Sequence, residues 1–376
     1  MWTRERRAIL AAVLPFALYA AFAALLMAKF HFDPSVLVVA GDEFTNPVAA
    51  PKNLLVASHS SGYDGQFYFR LAIAPFSAQE SVAGVHFDYP VYRAQRILYP
   101  ILSYLVSGGR ASAVPWAMIA VNLLAAGTIG GLAALIFERF QGSSVLMAVV
   151  VALYPGFLLT MSRDLTELVE IALVLGGIAL ILIRRDRLAI IVFAVAVLAK
   201  EMALIVPIAI LLHRAITRRL KASDALLLVP VAVFVGWKMY LFHLWHLPLS
   251  LGTDRHFSLP FAGMWQCIRS VAAAPHGQTL LIIELLAIIA FTITIAIALR
   301  MSSAPAFLKI ACVLYALLFF SLGAEFWTED WAFLRAATDY GVLGAIVIMQ
   351  SPVRRVVIVL FLSGWIGLGV HCVMFR

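Results

Sequence analysis

Apolar residues along this chain come in long unbroken blocks separated by short polar, often basic, segments, and strict alternation is nowhere sustained. Most of the blocks reach the length that carries a helix across a bilayer core, about 17 to 24 residues. Peptide groups in hydrocarbon must bond within their own segment, so each block is assigned to helix. The pattern predicts about eleven spans, at 8–29, 114–137, 144–162, 166–183, 188–199, 202–213, 224–245, 279–299, 306–323, 336–351 and 356–374. The fifth and sixth are short and divided only by Lys200 and Glu201, which reads as two tilted or half-buried helices or as one long helix. The predicted fold class is all-α, a polytopic transmembrane bundle forming a single membrane domain over residues 1–376.

Polar segments then set an orientation. Basic residues mark the cytoplasmic side of short loops, and with the N-terminus inside every inner segment is basic: Arg4, Arg6 and Arg7; Arg139; Arg184, Arg185 and Arg187; Arg214, Arg218, Arg219 and Lys221; Arg300; Arg354 and Arg355. Merging the fifth and sixth spans would put the 214–221 cluster outside, so the charges favour eleven. The run after Arg7 resembles a signal peptide but is longer than a usual signal core, and is expected to be a retained first helix. The outer side then carries residues 30–113, a second segment near 246–278 and a short one at 324–335. The first is rich in aromatic residues, from Tyr63 to Tyr99, and is expected to form short amphipathic helices on the membrane surface with rings at headgroup depth.

Composition agrees: 63% of the 376 residues are hydrophobic, 13% are charged and mean hydropathy is +0.96. A net charge of +8 raises nucleic acid as a partner, but the basic residues form scattered topogenic clusters and no soluble patch, so nucleic-acid binding is set aside. Cys267, Cys312 and Cys372 have neither a metal-ligand spacing nor an even disulfide count, and read as core or lipid-facing residues. No internal repeat, Walker motif or dinucleotide glycine pattern is present. These features place the chain in a membrane, a bacterial cytoplasmic one being compatible.

Chemistry is concentrated on the outer side. In GYDGQFYFRLA, 62–72, Asp64 follows a flexible turn and opens a helix, where the dipole favours the carboxylate, and Tyr68 shares its face at i+4. Asp64 is read either as a chemical base or as a plain helix cap. In DYPVYRAQRILYPIL, 88–102, Arg93 and Arg96 lie on one side of a helix and suit a phosphate, or else reach lipid headgroups. Lys200 and Glu201 sit between apolar runs and form either part of a site or an ion pair. Arg335 ends an outer segment that also holds Glu325, Glu329, Asp330 and Asp339, and Arg163, Asp164 and Glu167 mark another outer turn. These charges share one membrane face, which allows convergence on one cavity. His59 and His86 are candidate phosphate or hydroxyl contacts, whereas His243 and His246 read as surface residues, and the histidines show no tight metal motif.

This arrangement resembles the GT-C superfamily of membrane glycosyltransferases: one helix, a large extracytoplasmic segment with an early acid in YDGQFYFRLA, then LYPILSYL at 98–105. The branch it is most similar to is that of the GPI-mannosyltransferase-like proteins, through the aromatic–Asp element, the YP-plus-aliphatic element and VLAKEMALIVPIAIL at 197–211, with Arg335 as a late arginine before a helix. Tyr63 stands where a tryptophan often precedes the acid, and Lys200 where arginine is more usual.

The resemblance implies transfer of a hexose, mannose in the first instance, from a polyprenyl-phosphate donor to an acceptor hydroxyl on a lipid, glycan or protein, with inversion. It makes Asp64 the general base, with Asp33 and Asp88 as fallbacks. It gives Tyr68, Arg70, His86, Asp88, Arg93, Arg96, Lys200, Glu201 and Arg335 to substrate binding. No cofactor is expected; a divalent ion is compatible, with no ligand set visible. The competing classes are a transporter or lipid flippase and a non-catalytic scaffold subunit.

Overall fold

A computed structural model describes residues 3–140, 144–248, 257–274, 278–328 and 332–375. Thr3 caps the first helix, α1 (Arg4–Ala28), its hydroxyl accepting the Arg6 N–H at 3.4 Å. Residues 29–113 follow, a polar-to-apolar segment too irregular for long elements. It contains two short parallel strands, β1 (Ala40–Gly41) and β2 (Val56–Ala57), then α2 (Asp64–Ile73). A small hairpin of β3 (Ser81–Val82) and β4 (Val85–His86) comes next, then α3 (Pro90–Arg93) and α4 (Leu98–Ser107).

The chain returns along α1 as α5 (Val114–Glu138). At their crossing, a Cβ on Gly130 would stand 1.9 Å from the carbonyl oxygen of Ala11, so the two backbones touch as small residues allow in membrane bundles. Next, α6 (Val145–Ala152) and α7 (Gly156–Ser162) meet at a bend of 56°, beside Pro155, which lacks the amide N–H a straight helix needs. The bundle continues through α8 (Glu167–Leu182), α9 (Asp186–Ala196), α10 (Ile205–Ile216), α11 (Val229–Trp245), α12 (Ala262–Ala273), α13 (Thr279–Met301) and α14 (Ala306–Phe320). It closes with α15 (Ala324–Thr328), α16 (Ala332–Ala336), α17 (Thr338–Met349) and α18 (Arg354–Phe375). Every residue of α17 is buried, as expected of a helix in the middle of a bundle.

Among the described residues five helical stretches are long and apolar enough to cross a membrane: α1, α5, residues 222–245 ending in α11, α13 and α18. Taking α6 and α7 as one bent span makes six. The chain is therefore an integral membrane protein. Helices stand at the other expected spans too, but α8, α9, α10, α14 and α17 have only 16, 11, 12, 15 and 12 residues. At 1.5 Å per residue these fall short of a core about 30 Å thick. Length thus supports five or six crossings against the expected eleven. At Lys200 the backbone is extended, with φ −161° and ψ 136°, so α9 and α10 are two helices and not one.

One expectation for residues 30–113 is corrected. The aromatic residues of α2 do not lie at a surface: Phe67, Tyr68 and Phe69 are all buried. Phe67 meets Phe44 and Phe87 at ring distances of 5.6 and 5.8 Å, and Phe87 meets Trp245 of α11 at 5.7 Å. The segment folds over one end of the bundle, and its buried residues are continuous with the bundle's core. Aromatic pairs of this kind add roughly 0.5 to 1.5 kcal/mol each beyond burial.

Candidate functional site

Asp64 is placed by a tightly built turn. Gly62 takes a left-handed φ of +65°, Tyr63 is extended, and the Tyr63 N–H donates to the Val39 carbonyl at 2.9 Å. Gln66 then ties α2 to its surroundings, accepting from the Gly41 N–H at 3.1 Å and the Thr45 hydroxyl at 2.9 Å, and donating to the Ser61 carbonyl at 2.8 Å. Directly after the acid, a side chain on Gly65 would come within 2.4 Å of the Arg163 carbonyl and 2.6 Å of that of Val38. Only glycine lets the start of α2 press against the α7–α8 turn, and that contact carries Asp64 to the N-terminus of α8.

Two guanidiniums hold Asp64 there. Arg93 Nη1 donates to Oδ1 at 2.5 Å and Arg335 Nη2 to Oδ2 at 3.0 Å. Each of these arginines has a second carboxylate behind it. Asp88 accepts from Arg93 Nε at 2.8 Å and from Nη2 at 2.5 Å, and Glu167 accepts from Arg335 Nε at 3.1 Å. Arg93 also lies over the Phe67 ring, 4.5 Å from its centroid. A neighbouring pair joins Arg96 to Glu201 through a fork of 2.7 and 3.2 Å. Below it the Lys200 ammonium faces Asp339 at 3.4 Å, Glu167 at 3.8 Å and Glu170 at 3.9 Å. Asp64, Glu167, Glu170, Glu201 and Asp339 all stand in first turns of their helices, where the dipole favours negative charge.

These groups line a cavity of about 630 Å³. Its charged lining residues are Asp64, Arg93, Arg96, Glu167, Lys200, Glu201, Lys238, Glu325, Arg335 and Asp339. The lining also has aromatic and aliphatic members, including Phe234, Tyr315, Leu318, Phe319 and Leu322. Burial works to raise the Asp64 pKa, but Arg335, Arg93 and Arg96 outweigh it and hold the carboxyl at about 2. The resting site therefore keeps Asp64 ionised and firmly paired. The five helices too short to cross each have an end at or beside this cavity: the start of α8, the turn joining α9 to α10, the end of α14 and the start of α17.

Of the residues expected to form a site, Asp64, Arg93, Arg96, Lys200, Glu201 and Arg335 come together. Four others stand outside the cavity lining, for distinct reasons. Tyr68 turns into the core, its ring 5.9 Å from that of Tyr99. Arg70 is buried among loop carbonyls, donating to Glu80 at 2.9 Å, Val85 at 3.0 Å and Gln79, with its guanidinium 4.0 Å above the Phe87 ring. His86 belongs to β4, with its ring 5.6 Å from Phe44. Asp88 grips Arg93 from behind. The fallback base Asp33 caps a 3-10 turn, accepting the Ser35 N–H at 2.9 Å. His59 is exposed, its N–H bound to Asp42 at 2.9 Å, and His243 and His246 are exposed as expected. Glu329 and Asp330 lie outside the described residues.

Glu167 and Asp339 were legible only as members of outer charge groups, and Glu170 not at all. The signal was present, since two acids three apart at the head of an apolar run, as at 167 and 170, need partners wherever they are buried. No family model, no curated protein and no solved structure matches this chain.

Proposed function

We propose that this cavity transfers a sugar, a hexose and first of all mannose, from a polyprenyl-phosphate donor to an acceptor hydroxyl at the extracytoplasmic face of the membrane. The observation that carries the reading is the meeting of Asp64 with Arg93, Arg96, Lys200 and Arg335 around one cavity whose lining is otherwise largely apolar and aromatic. In this reading Asp64 takes the proton of the acceptor hydroxyl as its oxygen attacks the anomeric carbon. The bond from that carbon to the phosphate oxygen breaks, and the lipid phosphate leaves with the electron pair. Its growing charge is held by the cations, which are already oriented by their carboxylates and need little reorganisation. A single displacement inverts the anomeric centre. The apolar lining, with Phe234, Leu318 and Leu322, takes the prenyl chain, and the tyrosines offer faces to the sugar.

The test is transfer of radiolabelled sugar from a panel of polyprenyl-phosphate sugars by the purified protein, wild type beside Asp64→Asn. Transfer that depends on the carboxylate supports the reading, and the sugar accepted names the donor. A second reading, a lipid flippase or transporter, draws on the buried Lys200 with Glu167, Glu170 and Asp339 around it, a group such proteins use for coupling. It is favoured if the protein moves lipid-linked sugar between leaflets of a vesicle and leaves the glycosidic bond intact.

A further inference from the structure

Arg93, Arg96, Lys200 and Arg335 each already face a carboxylate in the resting state, so an anionic ligand competes with those carboxylates for them. The four arrangements are unequal. Asp88 and Glu201 hold Arg93 and Arg96 through two bonds each, and Asp339 faces Lys200 on a buried helix. Asp64 is different: it takes one bond from Arg93 Nη1 and one from Arg335 Nη2, and each arginine keeps its other carboxylate when these two let go. Those two N–H groups come from far-apart stretches of chain, are fixed from behind by Asp88 and Glu167, and converge on a point occupied by the Asp64 carboxylate.

We propose that the seat of the Asp64 carboxylate is the phosphate subsite, and that Asp64 is a resident stand-in for the ligand. A phosphate ester settling between Arg93 and Arg335 takes over both bonds and pushes the carboxylate toward the acceptor side. Two oxygens of a phosphate match two converging donors as two carboxylate oxygens do. The exchange also prepares the chemistry, because a carboxylate relieved of two guanidiniums is a stronger base than one held between them. Donor binding and activation of Asp64 are then one event.

This inference rests on the reading of the cations as a phosphate site, and it is tested by binding alone. Farnesyl phosphate, and separately inorganic phosphate, are titrated calorimetrically into wild type, Asp64→Asn, Asp64→Ser and Arg335→Gln in detergent, each variant first shown monodisperse with a cooperative thermal transition. Removing the competing carboxylate is expected to tighten farnesyl phosphate by about tenfold or more in both Asp64 variants, and Arg335→Gln to weaken it by about as much. Inorganic phosphate is expected to bind more weakly than the prenyl ester, because it leaves the apolar lining uncovered. Asp64 variants that bind farnesyl phosphate no tighter than wild type overturn the inference, and if wild type still transfers sugar, the enzymatic reading stands without it. No binding to any variant overturns both. Equal affinity for the two probes overturns the assignment of the seat to a lipid phosphate.

Discussion

At Asp64 two opposing effects act on one carboxylate, burial raising its pKa and three guanidiniums lowering it to about 2, and the second prevails. Its charge therefore stabilises the fold at any pH above the ordinary value of 3.8, and that stabilisation is given up as pH falls toward 2. Catalysis adds a separate consequence. The free protein's base titrates near 2, so the acid limb of kcat/KM is not expected to come from Asp64. In the donor complex the released carboxylate returns toward its ordinary range of roughly 4, so kcat falls with acid at a higher pH than kcat/KM does. Parallel limbs in the two profiles would contradict this. Asp64→Asn keeps the shape and removes the proton acceptor, and is expected to lower kcat by about 10² to 10⁴. Asp33→Asn, at a cap remote from the cavity, is expected to cost at most about 1 kcal/mol of stability, with turnover near wild type. Steady-state kinetics on both variants separates a base from an acid that merely begins a helix.

Among the elements, α2 depends on a loop that wraps its last turn. Arg70 donates to the carbonyls of Gln79, Glu80 and Val85, and these bonds hold residues 77–86 against the helix that carries Asp64. Arg70→Met keeps most of the bulk but leaves these carbonyls without their donor, and is expected to cost roughly 2 to 3 kcal/mol. Hydrogen exchange should show faster exchange across 77–86 and in α2, with α13 and α18 unchanged; an even loss across the bundle would mean the effect is global. The same helix marks where sequence reading stops. The apolar runs, the break at Lys200 and the acid opening α2 are legible because each is written in consecutive residues. The burial of α2 is not, since Phe67, Tyr68 and Phe69 suit a membrane interface as well as a core, and only the placement of Phe44, Phe87 and Trp245 decides between them. Arg70, a substrate-binding expectation, is illegible for a related reason: nothing in consecutive residues shows that its guanidinium serves the carbonyls of Gln79, Glu80 and Val85. The convergence of Asp64 with Arg335 also joins residues far apart in the chain, and in sequence only the shared face of the charges points to it.

The whole molecule separates its charges along one axis, and that separation makes the orientation testable. At one end Arg4 and Arg7 pair with Glu138, and Arg214 bridges Asp186 at 2.6 Å and Asp224 at 2.5 Å amid a surplus of arginine. The cavity and residues 29–113 occupy the other end, where cations and carboxylates are nearly balanced. Short basic segments are retained in the cytoplasm, so the arginine-rich end is expected to be cytoplasmic and the cavity to open on the opposite side. The short helices α8, α9, α10, α14 and α17 fit this arrangement, because each has an end at or beside the cavity. Ser61 beside Asp64 and Arg218 at the arginine-rich end are both exposed, and the native Cys267, Cys312 and Cys372 are buried, so labelling of introduced cysteines has little background. Ser61→Cys is expected to react with a membrane-impermeant maleimide in intact cells, and Arg218→Cys only after permeabilisation. The reverse pattern would put the cavity in the cytoplasm and remove the extracytoplasmic acceptor from the proposal. Labelling of both sites from outside would mean that the charge asymmetry does not set the topology, and that the chain crosses an even number of times between residues 61 and 218, as it does if α5 and the bent α6–α7 pair are the crossings there.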